Sequence, residues 1–93
     1  MTQKKRTYNN FIFTGTCRAT TGVVAAVTGF LASNNCYISA LEQFDDESTQ
    51  KFFMRAVFRP QKDSPTIENI AEDFSEVAKN FDMQWKFHRP EIA

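Results

Sequence analysis

Apolar positions recur along this chain with two periods, and the order in which the periods alternate predicts the elements. From Thr7 to Thr16, Tyr8, Phe11, Ile12 and Phe13 make a β-prone run closed by Gly15, a first strand with an irregular, edge-like start at Asn9 and Asn10. Val23, Val24, Val27, Phe30 and Leu31 then recur at spacings of three and four, one face of an amphipathic helix. Thr20 or Thr21 suits its N-cap, and Asn34 or Asn35 the left-handed residue that ends it. Gly29 costs ~1 kcal/mol relative to alanine in mid-helix, which implies that a neighbouring segment packs closely there.

Period two returns with Ile38, Ala40 and Phe44 on one face and Tyr37 and Leu41 on the other, as far as an acidic hairpin loop from Asp45 to Gln50. The next run alternates most clearly: Phe52, Met54, Ala56 and Phe58 make a wholly apolar face, while Phe53, Arg55, Val57 and Arg59 make a mixed one that is half wet or meets a partner. Pro60 stops this strand. Ser64-Pro65 reads as a helix start, and Ile67, Ile70, Ala71, Phe74, Val77, Ala78 and Phe81 follow as an unbroken stripe opposite Glu68, Glu72, Asp73, Glu76 and Lys79. Met83, Trp85 and Phe87 alternate with Gln84, Lys86 and His88 in a last strand before Arg89-Pro90.

Strands are thus expected over about 7–16, 36–45, 51–59 and 83–89 and helices over about 21–34 and 65–81. The order βαββαβ predicts an α+β class, ferredoxin-like sandwich: a four-stranded antiparallel sheet with both helices on one face. The chain of 93 residues is long enough for one domain and too short for a two-domain enzyme. With 42% hydrophobic and 24% charged residues it has the composition of a globular protein.

Eleven basic and eleven acidic side chains cancel, so no global field favours nucleic acid, an anionic membrane or an acidic substrate. Lys4, Lys5 and Arg6 crowd one end, and Glu42, Asp45, Asp46 and Glu47 lie mid-chain; both runs read as solvated. The stretch from Ala19 to Leu41 is broken by polar residues, whereas a membrane span needs ~20 predominantly apolar ones. Phe11-Ile12-Phe13 is too short for the apolar core of a signal peptide, so a cytoplasmic protein is expected.

Candidate chemistry is sparse. Cys17 and Cys36 flank the first helix and are expected ~20 Å apart, beyond the ~7 Å limit for a bridge, hence free, buried thiols. His88 has no nucleophile paired with it, so no catalytic triad is expected. Spacings that hold a metal are missing, and neither a metal nor another cofactor is expected. The octet Lys51-Phe52-Phe53-Met54-Arg55-Ala56-Val57-Phe58 matches the RNA-recognition signature K/R-G-F/Y-G/A-F-V-x-F/Y only in part, with Phe52 at the glycine and Arg55 at a stacking aromatic; RNA is not an expected partner. The loop Cys17 to Val24 is more suggestive. It leads into a helix N-terminus, where free amides and the helix dipole attract a carboxylate, although Gly22 serves equally well as a residue that merely lets the chain turn.

Gly22-Val23-Val24-Ala25-Ala26-Val27, Phe30-Leu31-Ala32, Asn34-Asn35-Cys36-Tyr37-Ile38, Gln43-Phe44-Asp45-Asp46, Phe52-Phe53-Met54-Arg55 and Phe81-Asp82-Met83-Gln84-Trp85-Lys86 together resemble the N-terminal ACT domain of the formyltetrahydrofolate deformylases. The resemblance covers nearly the whole chain. It implies a regulatory module that precedes a formyltransferase-like catalytic domain, absent from these 93 residues, in an enzyme that hydrolyses 10-formyltetrahydrofolate to formate and tetrahydrofolate and feeds purine synthesis. It further implies a homo-oligomer paired along sheet edges, with strand two as the edge, and a small amino acid effector, glycine or methionine, at the junction. The alternative is a stand-alone ACT regulator resembling the glycine-cleavage repressors and acting through protein partners.

The effector site implied by the resemblance comprises Arg18, Ala19, Thr20, Thr21, Gly22 and Val23 at the start of helix one, closed by Asn34, Asn35 and Ile38 of a neighbouring chain. The family's loop usually reads Cys-Pro-Asp-x-Pro-Gly; Arg18, Ala19 and Thr21 stand here at its Pro, Asp and second Pro. Without an acid at Ala19 an effector's ammonium meets only neutral acceptors, so affinity is expected to be weak, on the order of 0.1–1 mM, or nil.

Overall fold

The computed structural model describes residues 10–89, in the order β1 (Phe11–Arg18), α1 (Val23–Ser33), β2 (Cys36–Asp46), β3 (Lys51–Pro60), α2 (Ile67–Phe81) and β4 (Gln84–His88). The strands form one antiparallel sheet in the order β2-β3-β1-β4, which is the expected ferredoxin-like arrangement. Residues 7–9, the expected start of the first strand, lie outside the described residues. Asn10 does not begin an edge: β1 runs through the centre of the sheet, between β3 and β4, and extends to Arg18.

The alternation in β3 sorts the sheet into two faces. Phe52, Met54, Ala56 and Phe58 are buried, and their register partners on β1, Cys17, Gly15, Phe13 and Phe11, are buried with them. Val23, Val27 and Leu31 of α1 and Ile70, Phe74 and Ala78 of α2 cover this face. Phe74 is the hub, with its ring centroid 5.2 Å from Phe13, 5.2 Å from Phe30 and 4.8 Å from Trp85, all near edge-to-face. Such pairs add ~0.5–1.5 kcal/mol each beyond the area they bury.

Three local expectations give way to other solutions. Thr20 and Thr21 do not cap α1; its N-cap is Gly22 at φ 93°, a left-handed conformation that glycine adopts without a Cβ penalty, and no side chain accepts from the first-turn amides. α2 begins two residues past Pro65, capped by Thr66, whose hydroxyl accepts from the Asn69 amide at 3.2 Å, while the Ser64 hydroxyl donates to the Pro65 carbonyl. The close approach inferred at Gly29 is absent, since a Cβ there would meet nothing within 4 Å; the crowded glycine is Gly15. The helix end, by contrast, is as expected: Asn35 turns left-handed, at φ 60°, with its side-chain amide donating to the Lys62 carbonyl at 2.7 Å.

A further departure concerns β2. Ile38 pairs with Phe58 but Ala40 with Val57, so Ser39 is a bulge. A single inserted residue reverses the alternation beyond it: Ile38 stays on the helix-covered face, Ala40 and Phe44 move to the open face with Tyr37, and Leu41 takes the helix side. The predicted grouping of Ile38, Ala40 and Phe44 therefore does not hold. The hairpin turn that follows is fastened by Asp46, whose carboxylate accepts from the Ser48 amide and hydroxyl; the hydroxyl of Ser48 first, and that of Thr49, hold its pKa below the ordinary value.

Candidate functional site

Arg18 ends β1, and Ala19, Thr20, Thr21 and Gly22 follow as an exposed loop into α1. The Ala19 amide donates to the Gln50 carbonyl at 3.0 Å, which ties this loop to the β2–β3 turn. The Gly22 carbonyl accepts the first helical hydrogen bond, from Ala26. With no side-chain cap and no acid in the first turn, the amides of α1's opening turn are left without a side-chain acceptor beside the dipole's positive end, an arrangement suited to a carboxylate. Val23 is the exception among the expected residues: its side chain is buried in the core.

Asn34, Asn35 and Ile38 lie at the other end of α1, about 16 Å along an 11-residue helix. Within one chain they do not join the loop. Both asparagine amides are engaged locally, Asn34 donating to the Phe30 carbonyl and Asn35 to that of Lys62. Next to the loop, Arg18, Cys17, Thr49, Gln50, Lys51 and Asp82 border a small polar hollow of about 270 Å³. Burial pushes the Cys17 and Cys36 thiols above their ordinary pKa, so neither is an activated nucleophile. Both cysteines are free, as expected. Among the described residues no group of three or more His, Cys, Asp or Glu side chains is placed to hold a metal.

A larger concavity than this hollow lies elsewhere, on the helix-free face. Two rows of side chains cross the sheet there: Glu42, Arg55, Thr14 and Lys86 in one, Phe44, Phe53, Thr16 and Gln84 in the next. Because the threonines on central β1 are short and their neighbours on β3 and β4 are long, the face sinks into a trough along β1, about 680 Å³ in volume. Phe44, 63% exposed, stacks on Phe53 with ring centroids 5.1 Å apart. Arg55 reaches the Glu42 carboxylate at 3.4 Å. The Thr16 hydroxyl oxygen is buried and has no hydrogen-bond partner. The mixed face of β3 pointed to a half-wet surface, yet the trough itself depends on pairings between strands distant in sequence.

No family model matches the chain. A formyltetrahydrofolate deformylase of Corynebacterium sp. (strain P-1) is 37% identical over 75 residues, a stretch that covers 81% of this chain and 26% of that protein. The crystal structure of a formyltetrahydrofolate deformylase from Burkholderia mallei ATCC 23344 superposes with a TM-score of 0.81 at 34% identity, over 87% of this chain and 28% of that one. The chain is similar to one region of the formyltetrahydrofolate deformylases. An ACT domain protein from Streptococcus pneumoniae matches 89% of this chain and 91% of its own with a TM-score of 0.74; at 18% identity this likeness shows the fold alone, and the fold is that of an ACT domain. The chain spans about a quarter of the length of the curated deformylase it matches.

Proposed function

We propose that this chain is the regulatory ACT module of a formyltetrahydrofolate deformylase: without catalytic activity of its own, pairing with a second copy through a sheet edge, and binding a small amino acid such as glycine or methionine. The observation that carries the reading is the 37% identity over 81% of the chain, against only a quarter of the relative's length. The uncapped N-terminus of α1 supports the effector role, because its amides suit a carboxylate. The edge position of β2 supports pairing, since an unpaired row of amides invites another strand. The raised thiol pKa values and the lone, exposed His88 support the absence of hydrolysis, which requires a positioned base and oxyanion donors.

Calorimetric titration with glycine and with methionine tests the effector role, and light scattering in the same solutions tests the pairing. Ala19 is exposed, so Ala19→Asp should fold and should tighten binding from the 0.1–1 mM range by about tenfold through a charge-assisted contact with the ammonium. No heat with either amino acid, together with a monomer at tens of micromolar, would sink the regulatory reading. Release of formate from 10-formyltetrahydrofolate by the 93-residue chain above the uncatalysed rate would sink the non-catalytic one.

A further inference from the structure

We propose that the trough along β1 is a binding site for a small planar aromatic anion, a ring carrying a carboxylate or a phosphate. It is separate from the effector loop and lies on the opposite side of the sheet from α1.

Size comes first. At about 680 Å³ the trough falls within the ~300–1,000 Å³ that enclose one small ligand. Its walls then divide the work. Phe53, backed by the exposed ring of Phe44, offers an aromatic surface on the β3 side. Lys86, on the β4 side, forms no ion pair among the described residues, while Arg55 shares its charge with Glu42. Between them, the buried and unpartnered Thr16 hydroxyl gains a hydrogen bond if a polar ligand atom reaches it, which would relieve a desolvation cost of ~1–3 kcal/mol.

Charge selects an anion. The chain's neutrality conceals a division, because the acids Glu68, Glu72, Asp73 and Glu76 lie on α2, whereas the open face carries Arg18, Lys51, Arg55, Arg59 and Lys86 against Glu42 and Asp46. A second copy laid face to face on this surface would set like charges together. A single-stranded nucleic acid would want successive aromatic steps, and along the trough only the row of Phe44 and Phe53 supplies rings on the open face, the ring of Tyr37 standing farther along β2 against the Arg59 guanidinium. One ring with one anionic group matches what is present.

Two probes share that chemistry: 4-aminobenzoate, a ring carrying a carboxylate, and phenyl phosphate, a ring carrying a phosphate. Titrations followed by amide chemical shifts should move Thr14, Thr16, Gln84 and Lys86 saturably with at least one of them. That probe should bind about tenfold more tightly than succinate, which lacks the ring, or nicotinamide, which lacks the charge. The tighter of the two probes identifies the source of the anion. Lys86→Glu should weaken binding about tenfold or more, and Thr16→Leu should fill the trough and block it while the melting temperature holds. The proposal is overturned if neither probe moves these amides at millimolar concentration, if Lys86→Glu binds as the parent does, or if a thymidine oligonucleotide binds more tightly with each added nucleotide. Shifts at residues 19–24 caused by glycine or methionine report on the effector loop instead, so the two readings fail separately.

Discussion

Gly15→Ala is the most exacting test of the packing. Gly15 lies on the buried side of β1, opposite Met54 on one neighbour and Trp85 on the other. A Cβ added there would stand 2.7 Å from Cζ of Phe13 and 2.9 Å from Sδ of Met83. The methionine can swing aside, but the Phe13 ring is fully buried and held edge-on by Phe74 at 5.2 Å and Phe87 at 5.8 Å. Overpacking of this kind costs ~1–3 kcal/mol, offset by ~0.4–1 kcal/mol from the smaller entropy of an unfolded chain with alanine, for a net loss of roughly 1–2 kcal/mol. In a domain of this size that lowers the melting temperature by about 5–15 °C. Circular dichroism on heating and urea titration both measure it. A Met83→Ala background, itself costing ~2–5 kcal/mol, should shrink the penalty by at least ~0.5 kcal/mol, because the two substitutions share one space. A Gly15→Ala protein as stable as the parent, or a penalty unchanged by Met83→Ala, would refute the reasoning.

Thr66→Ala should cost ~0.5–2 kcal/mol by urea titration, as expected for a lost N-cap, and Ser64→Ala close to nothing; the reverse order would restore the Ser64-Pro65 start. Burial raises the pKa of both thiols, so folding favours their neutral form: the stabilisation is complete below the ordinary thiol pKa and is lost as pH rises past it, from about pH 9 upward. Melting temperature should therefore decline faster above pH 9 in the parent than in a Cys17→Ala/Cys36→Ala variant, and at pH 8 a disulfide reagent should label native Cys17 and Cys36 far more slowly than the urea-unfolded chain. Equal labelling rates would contradict the burial.

Element order was legible because periodicity survives any tertiary context. The stripe from Ile67 to Phe81 and the alternation from Phe52 to Phe58 each appear in the structure as written. What escaped was information held jointly by distant segments. The bulge at Ser39 has no local signature, since serine fits a regular strand equally well, and it alone decides which side Phe44 takes. Gly29 stood out because it lies inside a helix, where glycine is costly, whereas what singles out Gly15, in a strand, is the packing of Phe13 and Met83 on it, which the sequence does not display. The stretch from Arg18 to Val23 was legible as a loop entering a helix, and it is one, but Asn34, Asn35 and Ile38 lie at the far end of α1, a separation that a reading of the sequence by itself does not display. The trough was invisible for a plainer reason: short threonines make a hollow only when long side chains stand on both adjacent strands.

The order β2-β3-β1-β4 gives the sheet two free borders of opposite electrical sign. β2 carries Glu42, Asp45 and Asp46 and no cation; β4 carries Lys86, followed directly by Arg89, and no acid. Two copies related by a two-fold axis must join a border to its own like, acid to acid or base to base, and this repulsion fades as salt shortens the Debye length from ~30 Å at 0.01 M to ~8 Å at 0.15 M. Joining unlike borders is electrically downhill, and unless the rotation between copies completes a ring each addition leaves one acidic and one basic border exposed. Were copies to join along these borders, ionic strength would select the symmetry of the assembly, dilute buffer biasing it toward head-to-tail rows and physiological salt, by screening like charges, removing that bias against a two-fold pair.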